Sequence, residues 1–332
     1  MLIFKGAKYT TNHQAISGCF FKTFMSFLRF FLYHPFPRHL IISTIHSFLI
    51  SRRIVISQAN GPQKFNLPGI KHVIAVASGK GGVGKSTISA NLALALSAQG
   101  HTVGLLDADI YGPSQGLMMG IPSGTKPEIS GEFFQPIVAN NVQMMSMSFV
   151  TSDRTPAVWR GPMASGALQQ LLTQTYWQNV EYLIVDMPPG TGDIQLTMAQ
   201  NVPMSGALIV TTPQDIALLD ARKAIEMFKK VEVPLLGIVE NMSTHTCSEC
   251  GHKEAIFGSG GGESVAAEYD TQMLARLPLA MSIREQSDGG TPPVVADPDG
   301  EVSTIFKGIA KQIHEMIDGV QKRGPEIKFS ND

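Results

Sequence analysis

"HVIAVASGKGGVGKSTISANLALALSAQG", residues 72–100, decides how the rest of the chain is read. The run HVIAVAS is apolar and stops at a glycine-rich loop, so it reads as a buried β-strand. The run STISANLALALSAQ has helical character and ends at Gly100, a helix stop. Between strand and helix, Gly79, Gly84, Lys85 and Ser86 satisfy G-x-x-x-x-G-K-[ST]. Glycines let backbone N–H groups approach phosphate oxygens without a Cβ in the way. The following helix aims its positive dipole end at the same place. In that context residues Gly79, Lys80, Gly81, Gly82, Val83, Gly84, Lys85, Ser86 and Thr87 are expected to hold a nucleotide. Lys85 would reach its terminal phosphates, and the Ser86 hydroxyl suits Mg²⁺. One residue is surplus to this account: Lys80, a second lysine in a loop that needs one.

Downstream the same alternation repeats. HTVGLLDAD, EYLIVDMPPG, GALIVTTP and VPLLGIVEN read as further buried strands. Helical stretches are expected at 163–175, 214–230 and 303–321. Strands apolar on both faces and interleaved with helices predict an α/β P-loop NTPase fold, a mostly parallel sheet with helices on both faces. Ligands of such sheets sit at the carboxyl ends of the strands. Two acidic clusters fall there: Asp107 and Asp109 in DADIYGPS, and Asp186 and Asp193 in DMPPGTGD. One carboxylate near the loop serves Mg²⁺, and a second can orient and deprotonate water. Asp193 and Asp215 fit helix starts or turns instead. Gly190 and Gly192 suit a segment that responds to the γ-phosphate.

Composition narrows the function classes. A net charge of −1 gives no electrostatic footprint for nucleic acid. Three cysteines are too few for a disulfide scaffold, and a reducing compartment fits them best. No Asp or Glu precedes Asp107, and aromatic residues crowd the first 48 positions. The apolar runs at 19–33 and 40–50 are broken or short, so neither predicts a membrane span. Residues 1–60 therefore read as an atypical extension, with three readings open: a poorly structured stretch from an over-long start, a transit segment, or a surface amphipathic stretch using Phe20, Phe24, Phe27, Leu28 and Phe31. Residues 61–70 read as a linker, 71–321 as the ATPase domain, and 322–332 as a flexible tail. The domain is expected in the cytoplasm, or in the mitochondrial matrix if the extension is a transit segment.

THTCSECGHKEAIFG, residues 244–258, carries Cys247 and Cys250 at C-x-x-C spacing, which can chelate one soft metal from a tight turn. A closed site needs four ligands, and three readings are open. His252 could complete a zinc knuckle, with His245 as a further donor. The pair could be redox-active, although no thioredoxin-like unit accompanies it. A second copy of the chain could supply two more thiolates around a [4Fe–4S] cluster.

GKGGVGKST resembles the deviant Walker A loop of the SIMIBI-class ATPases, which include MinD and ParA. DADIYGPS, VWRGPMAS, DMPPGTGDIQLT, TTPQDIAL and GIVENMSTHTCSECGH resemble the Mrp/ApbC iron–sulfur cluster carriers, from about Leu67 to about Gly319. The resemblance implies a homodimer in which Lys80 reaches the partner's nucleotide. It implies that Asp109 orients the attacking water, that Asp186 stands with Ser86 near Mg²⁺, and that Asn241 contacts adenine with Pro213 nearby. It also implies a [4Fe–4S] cluster on Cys247 and Cys250 of two chains, received from scaffold proteins and passed to apo-proteins, with ATP hydrolysis coupled to the transfer. Neither nucleic acid nor stable membrane insertion is expected. The competing expectations are a MinD/ParA-like positioning ATPase and an ATPase with a structural zinc knuckle. Many bacterial members carry an acidic accessory domain where this chain has its aromatic extension. Trp159 and Arg160 would line the dimer face or serve as buried Trp and surface Arg. The stripe Ile305, Ile309, Ile313 and Ile317 is expected on a last core helix rather than on a membrane.

Overall fold

A computed structural model describes residues 64–150 and 161–322. The extension 1–60, Trp159, Arg160 and the tail beyond Lys322 lie outside the described residues.

The core is an eight-stranded sheet. Its strands are β1 (Ile70–Ala77), β2 (Val103–Asp107), β3 (Ile137–Ala139), β4 (Val142–Ser146), β5 (Val180–Asp186), β6 (Gly206–Thr211), β7 (Leu235–Glu240) and β8 (Met273–Arg276). Their order is β8-β7-β6-β1-β5-β2-β4-β3. All neighbours are parallel except β3, which runs antiparallel to β4 at one edge. β2 and β6 are buried along their whole length, as strands covered on both faces must be. Gly104 has a packing reason: a Cβ there would stand 2.9 Å from Leu183 and 3.0 Å from Trp177.

The principal helices are α1 (Lys85–Ala98), α2 (Gln115–Met118), α3 (Gly161–Thr173), α4 (Asp193–Asn201), α5 (Asp215–Lys230), α6 (Gly261–Glu268), α7 (Met281–Asp288) and α8 (Glu301–Lys322). α1 is apolar nearly all round because it is covered by the sheet and by α8. Gly100 ends it at φ +93°, donating its N–H to the Ser97 carbonyl while His101 N–H reaches Leu96. The expected stripe on α8 is a core face: Ile309, Ile313 and Ile317 are buried and Ile305 half-buried against the core, with Phe306 buried beside them; full burial of each contributes about 1.5–3 kcal/mol. Among the described residues no helix is long and apolar enough to cross a membrane.

The expected linker differs from Phe65 onward. Phe65 and Leu67 pack on the core, Phe65 N–H binds the Asn201 carbonyl, and Val180 N–H binds that of Gly69. Two apolar side chains in a polar stretch are enough to dock it.

Candidate functional site

Strand order explains why distant sequence clusters meet. β1, β5 and β2 are adjacent, so the loop after β1 and the acids ending β5 and β2 share one edge. The register places Asp186 beside Val76 on one side and Asp107 on the other.

The loop closes a cleft of about 200 Å³ lined by Lys80, Gly82, Lys85, Ser86, Asp109 and Pro189 among others. Gly82 and Gly84 have φ +82° and +86°, conformations that favour glycine. Gly84 is doubly constrained, since a Cβ would lie 2.2 Å from Asn241 Nδ2. At Gly79 the limit is the α5 backbone: a Cβ would lie 2.0 Å from the Asp220 carbonyl oxygen.

Lys85 is buried and donates to Asp186 Oδ1 at 2.5 Å and to Ser86 Oγ at 3.3 Å. Ser89, one helical turn on, donates to the same Asp186 oxygen at 2.9 Å. Gln115 Nε2 donates to Asp186 Oδ2 at 2.8 Å and to the Ser86 carbonyl at 2.9 Å. Gln115 Oε1 is buried and has no partner among the described residues. Asp107, wholly buried, accepts from Ser146 Oγ and the amides of Gln115 and Asp109. Burial first, and the Asp186 carboxylate second, push the Asp107 carboxyl up to about 7. Asp109 is partly exposed on the cleft wall, and burial holds its carboxyl above the ordinary value.

The loop, Lys80, Ser86 and Asp109 thus line one cleft, with Asp186 buried beneath through Lys85. Asn241 donates to the Val83 carbonyl at 2.9 Å and accepts from Met242 N–H at 3.0 Å. Its amide braces the loop from behind. Asp193 and Asp215 are the first residues of α4 and α5, where a carboxylate favours the helix N-terminus. In the segment before α4, Gly190 N–H binds the Ser78 carbonyl, tying it to the end of β1. Sequence reasoning missed Ser89, Gln115 and Ser146. Only Ser89 left a trace, four residues after Lys85 on one helix face.

The donor set fits a hard divalent cation such as Mg²⁺: the Ser86 hydroxyl, the Asp186 carboxylate and the unpartnered Gln115 oxygen are oxygen donors at the base of the phosphate loop.

The cysteines lie elsewhere, on a two-stranded hairpin of His245–Thr246 and Lys253–Glu254 that follows β7. Glu240 anchors its base, accepting from Ser243 Oγ at 2.8 Å and from Gly262 N–H at 2.8 Å. At the tip Cys247 N–H binds the His252 carbonyl and Gly251 N–H binds that of Cys247. Hydrogen bonds from the Cys250 and Glu249 amides, then from the Cys250 thiol, lower the Cys247 pKa. Both thiols are free and solvent-accessible. The His245 ring is held by the Leu279 carbonyl at 3.1 Å. Among the described residues, neither cysteine belongs to a preassembled group of three or more metal ligands.

A glycine loop between parallel strand and helix, with a buried lysine and strand-end carboxylates beside it, defines a P-loop NTPase. The profile of the ParA family described as the NUBPL iron-transfer P-loop NTPase matches residues 69–314, and the chain belongs to that family. It is 59 % identical over 266 residues to the iron-sulfur cluster carrier protein of Pseudomonas fragi, covering 78 % of this chain and 93 % of that one. Identity to the iron-sulfur cluster transfer protein NUBPL of Mus musculus is 47 % over 281 residues, covering 84 % and 86 %. Among solved structures, a nucleotide-binding protein from Archaeoglobus fulgidus in complex with ADP aligns with TM-score 0.62 and 35 % identity, covering 72 % of this chain and 93 % of that one. The MinD cell division ATPase of Pyrococcus furiosus, 22 % identical with TM-score 0.56, shares the fold; 74 % of this chain and 99 % of that one align.

Proposed function

We propose that this chain is an ATP-hydrolysing carrier that receives an iron–sulfur cluster on Cys247 and Cys250 and passes it to apo-proteins. The observation that carries the reading is the incomplete thiol pair on an exposed hairpin of a P-loop NTPase. A [4Fe–4S] cargo held by cysteines needs four of them. Two from each of two chains make a complete set at a two-fold axis. The names of the relatives, iron-sulfur cluster carrier and transfer protein, support the same cargo.

The homodimer is part of this proposal. Tyr111, Ile216, Leu219 and Ile256 are exposed apolar side chains on segments around the cleft and hairpin, the kind of surface an interface covers. Lys80, on the cleft wall, would reach the partner's nucleotide.

ATP is the substrate. The loop amides and the start of α1 bind its phosphates. Lys85 leaves Asp186 for the phosphate oxygens, because a mobile ammonium follows the larger negative charge. Asp109, on the cleft wall, orients the attacking water and accepts its proton. Mg²⁺ would be held by Ser86, with Asp186 and Gln115 behind it, and would supply neutralisation of phosphate charge. Nucleotide state would be felt at the Gly190 segment and, through the sheet, at the β7 hairpin, biasing retention or release of the cluster.

The test is transfer to an apo-ferredoxin, followed anaerobically with ATP, ADP or no nucleotide. The proposal expects rates that differ between ATP and ADP, and loss of that difference in Lys80→Ala. Equal rates in all three states would remove the coupling.

A further inference from the structure

The nucleotide cleft occupies the carboxyl edge of the sheet. At the opposite edge, about 20 Å away along β1, three metal-ligating side chains converge: His101, Glu181 and His314. Each can offer one ligand atom such that all three atoms lie within 4.8 Å of one another. They come from different elements: the turn between α1 and β2, the start of β5, and the middle of α8. None has a role in the cleft or the cysteine hairpin.

The surroundings are those of a built site. His101 Nδ1 lies 2.8 Å from Glu181 Oε2, and the His101 and His314 ring centroids are 4.6 Å apart. The Tyr182 hydroxyl lies 2.7 Å from His314 Nδ1. A metal-bound histidine needs its other ring nitrogen fixed by such a partner, and Tyr182 supplies it. With Nε2 on a cation, Nδ1 carries the ring proton and donates a hydrogen bond to the Tyr182 hydroxyl oxygen. All three ligands are partly exposed, so an ion has an entry path. Lys71 Nζ, 3.6 Å from Glu181 Oε1 and itself exposed, can swing into solvent as a cation takes its place.

We propose that His101, Glu181 and His314 bind a divalent transition cation, Zn²⁺ or a similar borderline ion, with water completing the coordination. Two imidazoles and a carboxylate are the donor set such ions prefer. Bond lengths of about 2.0–2.1 Å require ligand atoms about 3.3 Å apart in a tetrahedron. The His101–Glu181 contact must therefore open by a few tenths of an ångström, which rotation of exposed side chains allows. The bound ion joins α8 to the sheet at one point and stabilises the ATPase domain without entering its chemistry.

The test uses the full-length, untagged chain with Cys19→Ser, Cys247→Ser and Cys250→Ser, so that no thiol competes. Co²⁺ is titrated in and its visible d–d absorption recorded, then Zn²⁺ is added to displace it. The expectation is a saturable signal equivalent to one ion per chain, and a melting temperature raised by about 5 °C in Zn²⁺. His101→Ala and His314→Ala, checked for folding by circular dichroism, should each lose both effects. Glu181→Gln should weaken binding at least tenfold. The extension histidines His13, His34, His39 and His46 are unchanged in every variant, so binding that survives the substitutions overturns the proposal. No saturable binding at all overturns it too. Should the alanine variants misfold, anomalous diffraction at the zinc edge on the parent decides. A peak between the three side chains supports the site, and a peak elsewhere or none rejects it.

Discussion

Lys85 and Asp186 form a buried ion pair across the base of the cleft. Nζ stands 2.5 Å from Oδ1, with the side chains 6 % and 0 % exposed. The lysine that the loop motif assigns to phosphate is held here by a carboxylate ending β5, and Asp107 lies beside that carboxylate on β2. Removing Lys85 alone strands negative charge in the interior. Lys85→Ala is expected to cost about 3–5 kcal/mol of stability. Adding Asp186→Asn should restore part of it. Urea unfolding of both singles and the double reads the coupling; additive losses would contradict a dominant pair.

Asp107 predicts a pH dependence of known sign. Its folded carboxyl titrates near 7 and its unfolded one near 3.8. Between those values the folded state holds a proton that the unfolded state has released. This contribution is therefore full at low pH and is lost as pH rises through about 4 to 7. Asp107→Asn lacks it. The wild-type-minus-variant difference in unfolding free energy should fall across that window. A constant or rising difference would refute the assignment.

Two neighbouring glycines should behave differently. Gly84→Ala places a Cβ at φ +86° against Asn241, and should cost about 2 kcal/mol or more in the nucleotide-free protein. Gly81→Ala has open space and should cost under about 0.5 kcal/mol. Thermal unfolding of the two variants compares them directly.

Cys247 should be the more reactive thiol of the hairpin. Hydrogen bonds to its sulfur favour the thiolate, the reactive form. Iodoacetamide labelling followed by peptide mass spectrometry near neutral pH should modify Cys247 faster than Cys250. Cys250→Ser should slow the Cys247 reaction, because the thiol contact that favours the Cys247 thiolate is weakened.

The central strands and α1 were legible because continuous apolar runs and one glycine loop have few other readings. β3, β4 and β8 were not: they have three, five and four residues, too short to show a clear period. The cleft was legible where it depends on local motif, at Gly79–Thr87 and Asp109. Gln115 and Ser146 were invisible because they reach Asp186 and Asp107 only through strand order. Asn241 stood out by its place after β7, yet its contact with Val83 depends on the fold of both loops. His101, Glu181 and His314 gave no signal either, being 80 and 133 residues apart in sequence order and joined only by the sheet edge and α8.

The most direct measurement is iron and sulfide content after anaerobic reconstitution, for wild type and for Cys247→Ala/Cys250→Ala. The carrier reading expects about four irons and four sulfides per dimer, with the visible absorption of a cluster, all lost in the variant. Zinc at one per chain through the same cysteines, with no sulfide and no colour, would contradict it.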